Sequence, residues 1–115
     1  MSVKKVVGIT TKVEGFHNFP TAVEMFGKKV EFLSLNHRHL FGINLEIPVE
    51  HNERDKEFIL LKREVEEFIE QRWGRPAQFE GLSCESIAEE LMIQFKATMV
   101  KVDEDGENYA KITKQ

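Results

Sequence analysis

The chain is predicted to fold as an α+β protein: a four-stranded antiparallel sheet with two helices on one face, in the order β-β-α-α-β-β. Three observations lead there. Both ends of the chain show apolar residues at alternating positions, the signature of half-buried strands. Two middle segments repeat apolar residues at helical spacing. Helices lying between two strand pairs can cover only one face of the sheet those pairs build.

Val3 to Val13 places Val3, Lys5, Val7, Ile9, Thr11 and Val13 on one side, and the same parity carries on to Gly15 and His17. Asn18 to Lys28 is predicted as a loop, punctuated by Pro20 and Gly27. Lys29 to Leu35 is predicted to be extended and to lead into a second strand, from Asn36 to Val49. One face of that strand carries His37, His39, Phe41, Ile43, Leu45, Ile47 and Val49. The strand pair at each chain end meets its counterpart in the middle of the sheet or lies at an edge.

A helix is predicted from about Asp55 to Trp73, with Phe58, Leu61, Val65, Phe68, Ile69 and Trp73 on its apolar side. Gly74-Arg75-Pro76 ends it. A second helix starts near Ser83, a side chain suited to capping, with Glu85 in the first turn where the helix dipole favours an anion. Ile87, Ala88, Leu91, Met92 and Phe95 form its buried side. Met99 to Glu104 and Tyr109 to Thr113 are the last two strands, joined at the Asp105-Gly106 turn.

The 115 residues fit one domain, residues 1–115, with a small two-layer core. The net charge of −4 is spread along the chain, so no basic stripe for nucleic acid and no polybasic membrane segment is present. No apolar run approaches the ~20 residues of a membrane span. The opening Met-Ser-Val-Lys-Lys-Val-Val is too short in apolar residues for a signal peptide. A single cysteine, Cys84, cannot close an internal disulfide, which fits a cytoplasmic protein.

The chemistry concentrates on the histidines. His37 and His39 stand two apart on one strand face, so both imidazoles can reach one metal ion. His17 shares their parity and is the candidate third ligand. Three neutral histidines suit a zinc ion with an open fourth position. The bland reading of His-x-His alone is a pair of half-buried polar residues. His51 lies in a charged turn and reads as solvated, and Trp73 as packing the helix end.

Several segments resemble the 6-pyruvoyltetrahydropterin synthase family, which includes the 6-carboxytetrahydropterin synthases of 7-deazapurine (queuosine) biosynthesis. Phe16-His17-Asn18-Phe19 resembles its first zinc histidine, and His37-Arg38-His39 its paired histidines, with Arg38 in place of a small residue. Phe58-Ile59-Leu60-Leu61-Lys62 resembles the start of the family's first helix, and Leu82 to Ala88 the start of its second. Val100 to Glu104 resembles the strand that ends in the pterin-anchoring glutamate, and Tyr109-Ala110 an aromatic-Ala pair. The resemblance covers most of the chain. It implies the tunnelling fold, in which sheets join around a trimer and trimers stack into hexamers. It also implies Zn2+ on His17, His37 and His39, and a pterin-like substrate held by Glu104, with Ser83 and Cys84 beside it.

The chain departs from the family at two places. The position of the catalytic cysteine is Leu33, and Gln71 to Gly81, between the helices, holds no histidine. No residue is thereby assigned as the general base. The expected function is that of a zinc-dependent carbon-oxygen lyase of the pterin synthase type, acting on a dihydroneopterin triphosphate-like or 7-deazapurine pathway substrate. The alternatives are a non-catalytic pterin- or purine-binding or structural protein of the same fold, and a different zinc reaction on a related heterocycle. Cys84 as a displaced catalytic thiol is a further reading.

Overall fold

The computed structural model describes residues 3–115; Met1 and Ser2, part of the stretch read against a signal peptide, lie outside the described residues. Strand β1 (Lys5–His17) pairs antiparallel with β2 (His37–Val49) along their full lengths, from Lys5 opposite Val49 to His17 opposite His37. The register keeps the two apolar faces on one side: Ile9 sits opposite Leu45, and Thr11 opposite Ile43. β2 then pairs antiparallel with β4 (Met99–Glu104), and β4 with β5 (Asn108–Thr113). The two terminal strand pairs therefore meet in the middle of the sheet, through β2 and β4.

The predicted four-stranded antiparallel sheet is corrected to a five-stranded mixed one, in the order β3-β1-β2-β4-β5. The added strand, β3 (Ala77–Glu80), runs parallel to the end of β1, with Gly15 opposite Ala77. It lies in the segment expected only to separate the helices. Its inward side chains, Ala77 and Phe79, are fully buried. The Phe79 ring packs edge-on against Phe41 and Trp73 at centroid distances of 4.9 and 5.0 Å. Gly15 makes this approach possible, since a Cβ there would lie 2.8 Å from the Phe79 ring.

The connection between β1 and β2 also differs from expectation. Ala22–Phe26 forms a short helix, α1, and Lys28–Ser34 a kinked 3-10 helix, where a loop and an extended segment were predicted. The Phe19 N–H donates to the Leu33 carbonyl at 2.7 Å and ties this excursion back to the end of β1.

Helix α2 (Phe58–Trp73) buries Leu61, Val65, Ile69 and Trp73, four positions at regular i+4 spacing. Phe58, predicted on that stripe, instead stands exposed with Ile59 and Leu60. Helix α3 (Cys84–Phe95) buries Ile87, Ala88 and Leu91 and packs on β4 and β5. Ser83 caps it, accepting the Ser86 N–H at 3.1 Å. Both helices cover the face that carries Phe41, Ile43 and Leu45, all fully buried, together with Val100 and Val102 from β4. Each such side chain contributes roughly 1.5–3 kcal/mol through removal from water. The other face is open. It carries Val6, Leu40 and Tyr109 exposed among Lys12, Glu14, Lys101 and Lys111. The Lys101 ammonium lies 4.4 Å from the Tyr109 ring centre. Among the described residues no helix is long and apolar enough to cross a membrane.

Candidate functional site

At one end of the sheet the helix-covered face runs out of apolar residues and turns to histidine. His17 ends β1 and His37 begins β2 directly opposite it; His39 lies one step inward, opposite Gly15. Side-chain alternation points all three toward the face occupied by Phe41. The predicted parity thus brings His17, His37 and His39 together, with one nitrogen from each within 4.8 Å of the others. Their ring centroids are 4.5 to 5.4 Å apart, and His17 and His39 both pack edge-on against Phe41. His17 is buried; His37 and His39 are half-buried.

Each ring is held from behind through Nδ1. His37 Nδ1 donates to the Leu35 carbonyl at 2.8 Å and His17 Nδ1 to the Leu82 carbonyl at 3.3 Å. His39 Nδ1 donates to Asp105 Oδ2 at 2.7 Å. Carbonyls only accept hydrogen bonds, which places a proton on Nδ1 of His17 and His37 and leaves Nε2 as the nitrogen free to meet other partners. A ligating histidine is oriented by such an acceptor on its second nitrogen. The donor set fits a zinc ion: three imidazoles bring one nitrogen each within 4.8 Å of the others, and each ring is oriented through its second nitrogen.

Glu104, at the end of β4, reaches the same region. Its Oε2 lies 2.9 Å from His17 Nε2 and its Oε1 3.7 Å from His39 Nε2. The hydrogen bond from His17 holds the Glu104 carboxyl below its ordinary range, against the opposing effect of burial. Cys84, at the first turn of α3, points its thiol at Glu104 Oε2 across 3.8 Å. Burial first, and the Glu104 charge second, push that thiol up from the ordinary 9.0 to about 12. The Cys84 thiol is consequently protonated near neutral pH. Ser83 is committed to its capping bond and stands exposed beside Cys84.

Asp105 and the carbonyls of Leu35 and Leu82 are the members that sequence reasoning missed. Asp105 read only as the first half of a turn, and it is that: Asp105 and Gly106 both take positive φ, 58° and 74°. Backbone carbonyls carry no residue-type signal. Arg38, the substitution between the paired histidines, points to the opposite face. There it pairs with Glu14 Oε2 at 2.7 to 2.8 Å, so it leaves the triad unobstructed. Leu33 lies in the 3-10 helix, half-buried. A cleft of about 800 Å³ between β1 and α2 is lined by mixed charges, among them Lys12, Glu66 and Arg75, and includes none of the histidines.

No family model matches the chain, and no curated protein matches it in sequence. Solved structures do match. The 6-pyruvoyl tetrahydropterin synthase of Caenorhabditis elegans superposes with a TM-score of 0.71 at 13% identity, over 98% of this chain and 97% of that one. An uncharacterized protein from Wolinella succinogenes superposes at 0.70 and 9% identity, over 99% and 100%. The chain thus shares the fold of 6-pyruvoyl tetrahydropterin synthase from end to end, an α+β fold around a mixed five-stranded sheet.

Proposed function

We propose that the chain binds one zinc ion on His17, His37 and His39. We further propose that it acts on a pterin or 7-deazapurine-type heterocycle, in the manner of the 6-pyruvoyl- and 6-carboxytetrahydropterin synthases. The observation that carries this reading is the convergence of three imidazoles, each with Nδ1 already engaged. The end-to-end fold likeness to a pterin synthase supports the substrate class.

Zinc held there supplies a Lewis acid that polarises hydroxyl or keto oxygens on a substrate side chain. The remaining work belongs to the chain. Glu104 is the acceptor available to the paired N–H groups of a 2-amino-4-oxo pyrimidine edge, and ionised carboxylates suit such two-point contacts. Ser83 and Cys84 flank it at the start of α3, where backbone N–H groups face outward. Phe41 and Phe79 close the inner end of the site against water.

Three observations favour the second reading, a non-catalytic binding protein. Leu33 stands at the family's cysteine position, the inter-helix segment holds a strand and no histidine, and Cys84 is held as a thiol. Metal analysis and turnover separate the readings. Protein purified without chelator is expected to carry one zinc per chain, lost in His37→Ala and His39→Ala. Less than ~0.2 zinc per chain after reloading sinks the metal assignment. Zinc with turnover of dihydroneopterin triphosphate supports a lyase; zinc with binding and no turnover supports the alternative.

The same reading includes assembly into a trimer or hexamer. The open sheet face exposes Val6, Leu40 and Tyr109, and β5 lies at the edge of the sheet. Closing such edges between copies stabilises a small domain. A monomer at micromolar concentration in light scattering contradicts it.

A further inference from the structure

We infer that the end of the sheet opposite the histidines holds a second binding site, for a nucleoside diphosphate, with its phosphates on Lys4, Lys5, Arg54 and Lys56 and its ring on Phe58. β1 runs from His17, at the histidine end, back to Lys5, which pairs opposite Val49. Its 13 residues span roughly 40 Å. The site is therefore separate from the imidazoles and does not depend on the metal reading.

A cleft of about 550 Å³ lies there, between the start of β1 and the turn that leads from β2 into α2. Small-molecule pockets commonly measure ~300–1,000 Å³. Lys4 and Lys5 line it from one segment, and Arg54 and Lys56 from another far away in sequence. Arg54 holds a left-handed φ of 54°, a conformation that arginine seldom adopts. Among the described residues none of these four cations forms an ion pair. The two carboxylates of the lining are already engaged. Asp55 Oδ2 accepts the Glu50 N–H at 2.8 Å, and Glu57 Oε1 accepts the Ile59 N–H at 3.1 Å as the cap of α2. With His51 counted as neutral, four unpaired cations face two committed carboxylates, a local positive excess in a chain of net charge −4. Like charges gathered in one cleft repel, and a multivalent anion among them relieves that repulsion.

The apolar part of the lining narrows the class of anion. Phe58 leaves the buried stripe of α2 and stands 55% exposed on this cleft, and Val6, also on it, is 47% exposed. An aromatic face open to solvent next to cations binds a planar base by stacking while the charges meet phosphate oxygens. Inorganic phosphate alone would use neither Phe58 nor most of the volume. Lysine offers an ammonium point charge and arginine a two-point fork, and both make charge-assisted hydrogen bonds to phosphate oxygens. A nucleoside diphosphate supplies both halves, a planar ring and two adjoining anionic groups.

The test is titration calorimetry of the full chain with ADP, pyrophosphate and adenosine at low salt, where screening is weak. ADP is expected to bind saturably, one per chain, more tightly than pyrophosphate, with adenosine weakest. The double variant Arg54→Glu, Lys56→Glu is expected to weaken ADP at least ~10-fold, about the cost of one lost charge-assisted hydrogen bond. Lys28→Glu with Lys29→Glu makes the same change of net charge in the connection between β1 and β2 and is expected to alter ADP affinity little. Phe58→Ala is expected to weaken ADP at least ~5-fold, the lower end of what losing a stacking aromatic costs, and to leave pyrophosphate unchanged. His37→Ala is expected to bind ADP as the wild type does. No saturable ADP binding by the wild type overturns the assignment, as does pyrophosphate binding as tightly as ADP; both are read without any variant and decide it even if one does not fold. Equal losses in the two charge-reversed variants would reduce the effect to net charge and overturn it too. Unchanged ADP affinity in Phe58→Ala, or its loss in His37→Ala, places the nucleotide elsewhere and refutes this site.

Discussion

His39 and Asp105 are joined by a 2.7 Å hydrogen bond from Nδ1 to Oδ2, while the other Asp105 oxygen accepts the Leu40 N–H at 2.8 Å. The carboxylate thus bridges the ring and the backbone of the same strand. It locks both the tautomer and the rotation of His39. Its own pKa is lowered, first by the Leu40 N–H and then by His39.

Asp105→Asn is accordingly expected to weaken zinc binding by about 10–100-fold with the fold intact. Asparagine tolerates the left-handed turn that Asp105 occupies, so the backbone has no reason to move. Chelator competition measures the affinity, and far-UV circular dichroism checks the fold. Unchanged affinity would mean that Leu40 and the turn alone hold His39.

Cys84 is expected to be slow toward iodoacetamide in the native protein. A pKa of about 12 against the ordinary 9.0 leaves roughly a thousandfold less thiolate near neutral pH. The sign for stability follows. The folded protein keeps the thiol proton that the unfolded chain loses above about pH 9, so folding is progressively weakened as pH rises from there. Glu104→Gln removes the nearest charge and should speed alkylation. A native rate equal to that in denaturant would contradict the buried thiol.

Gly15→Ala should destabilise the fold by about 1–3 kcal/mol, because the new methyl meets the Phe79 ring. Phe79→Ala should cost more, about 3–5 kcal/mol, since it empties a fully buried position between Phe41 and Trp73. Urea titration measures both. Losses below ~0.5 kcal/mol in both variants would mean that β3 is not part of the cooperative unit.

Ser83→Ala should cost about 1 kcal/mol through loss of the cap on α3. Because α3 carries Cys84 against Glu104, the substitution should also raise Cys84 reactivity. A stability loss without any change in alkylation would separate the cap from the site.

The local pattern of the chain determined the long strands, the two helices and the side of the sheet that faces them. Alternation in β2 and i+4 spacing in α2 are short-range rules, and burial enforces both: a one-residue slip would turn Phe41, Ile43 and Leu45 into water. The same parity placed His17, His37 and His39 on one face. Three things were decided only by tertiary structure. β3 is four residues long, too short to show a period, and exists because Phe79 finds a pocket over Gly15, far away in sequence. The segment from Lys28 to Ser34 forms a 3-10 helix outside the sheet, although its local pattern reads as extended. The setting of the histidines depends on two backbone carbonyls, on Asp105 and on the approach of Glu104 from β4. Those contacts follow from strand register and chain crossing, which no local spacing encodes.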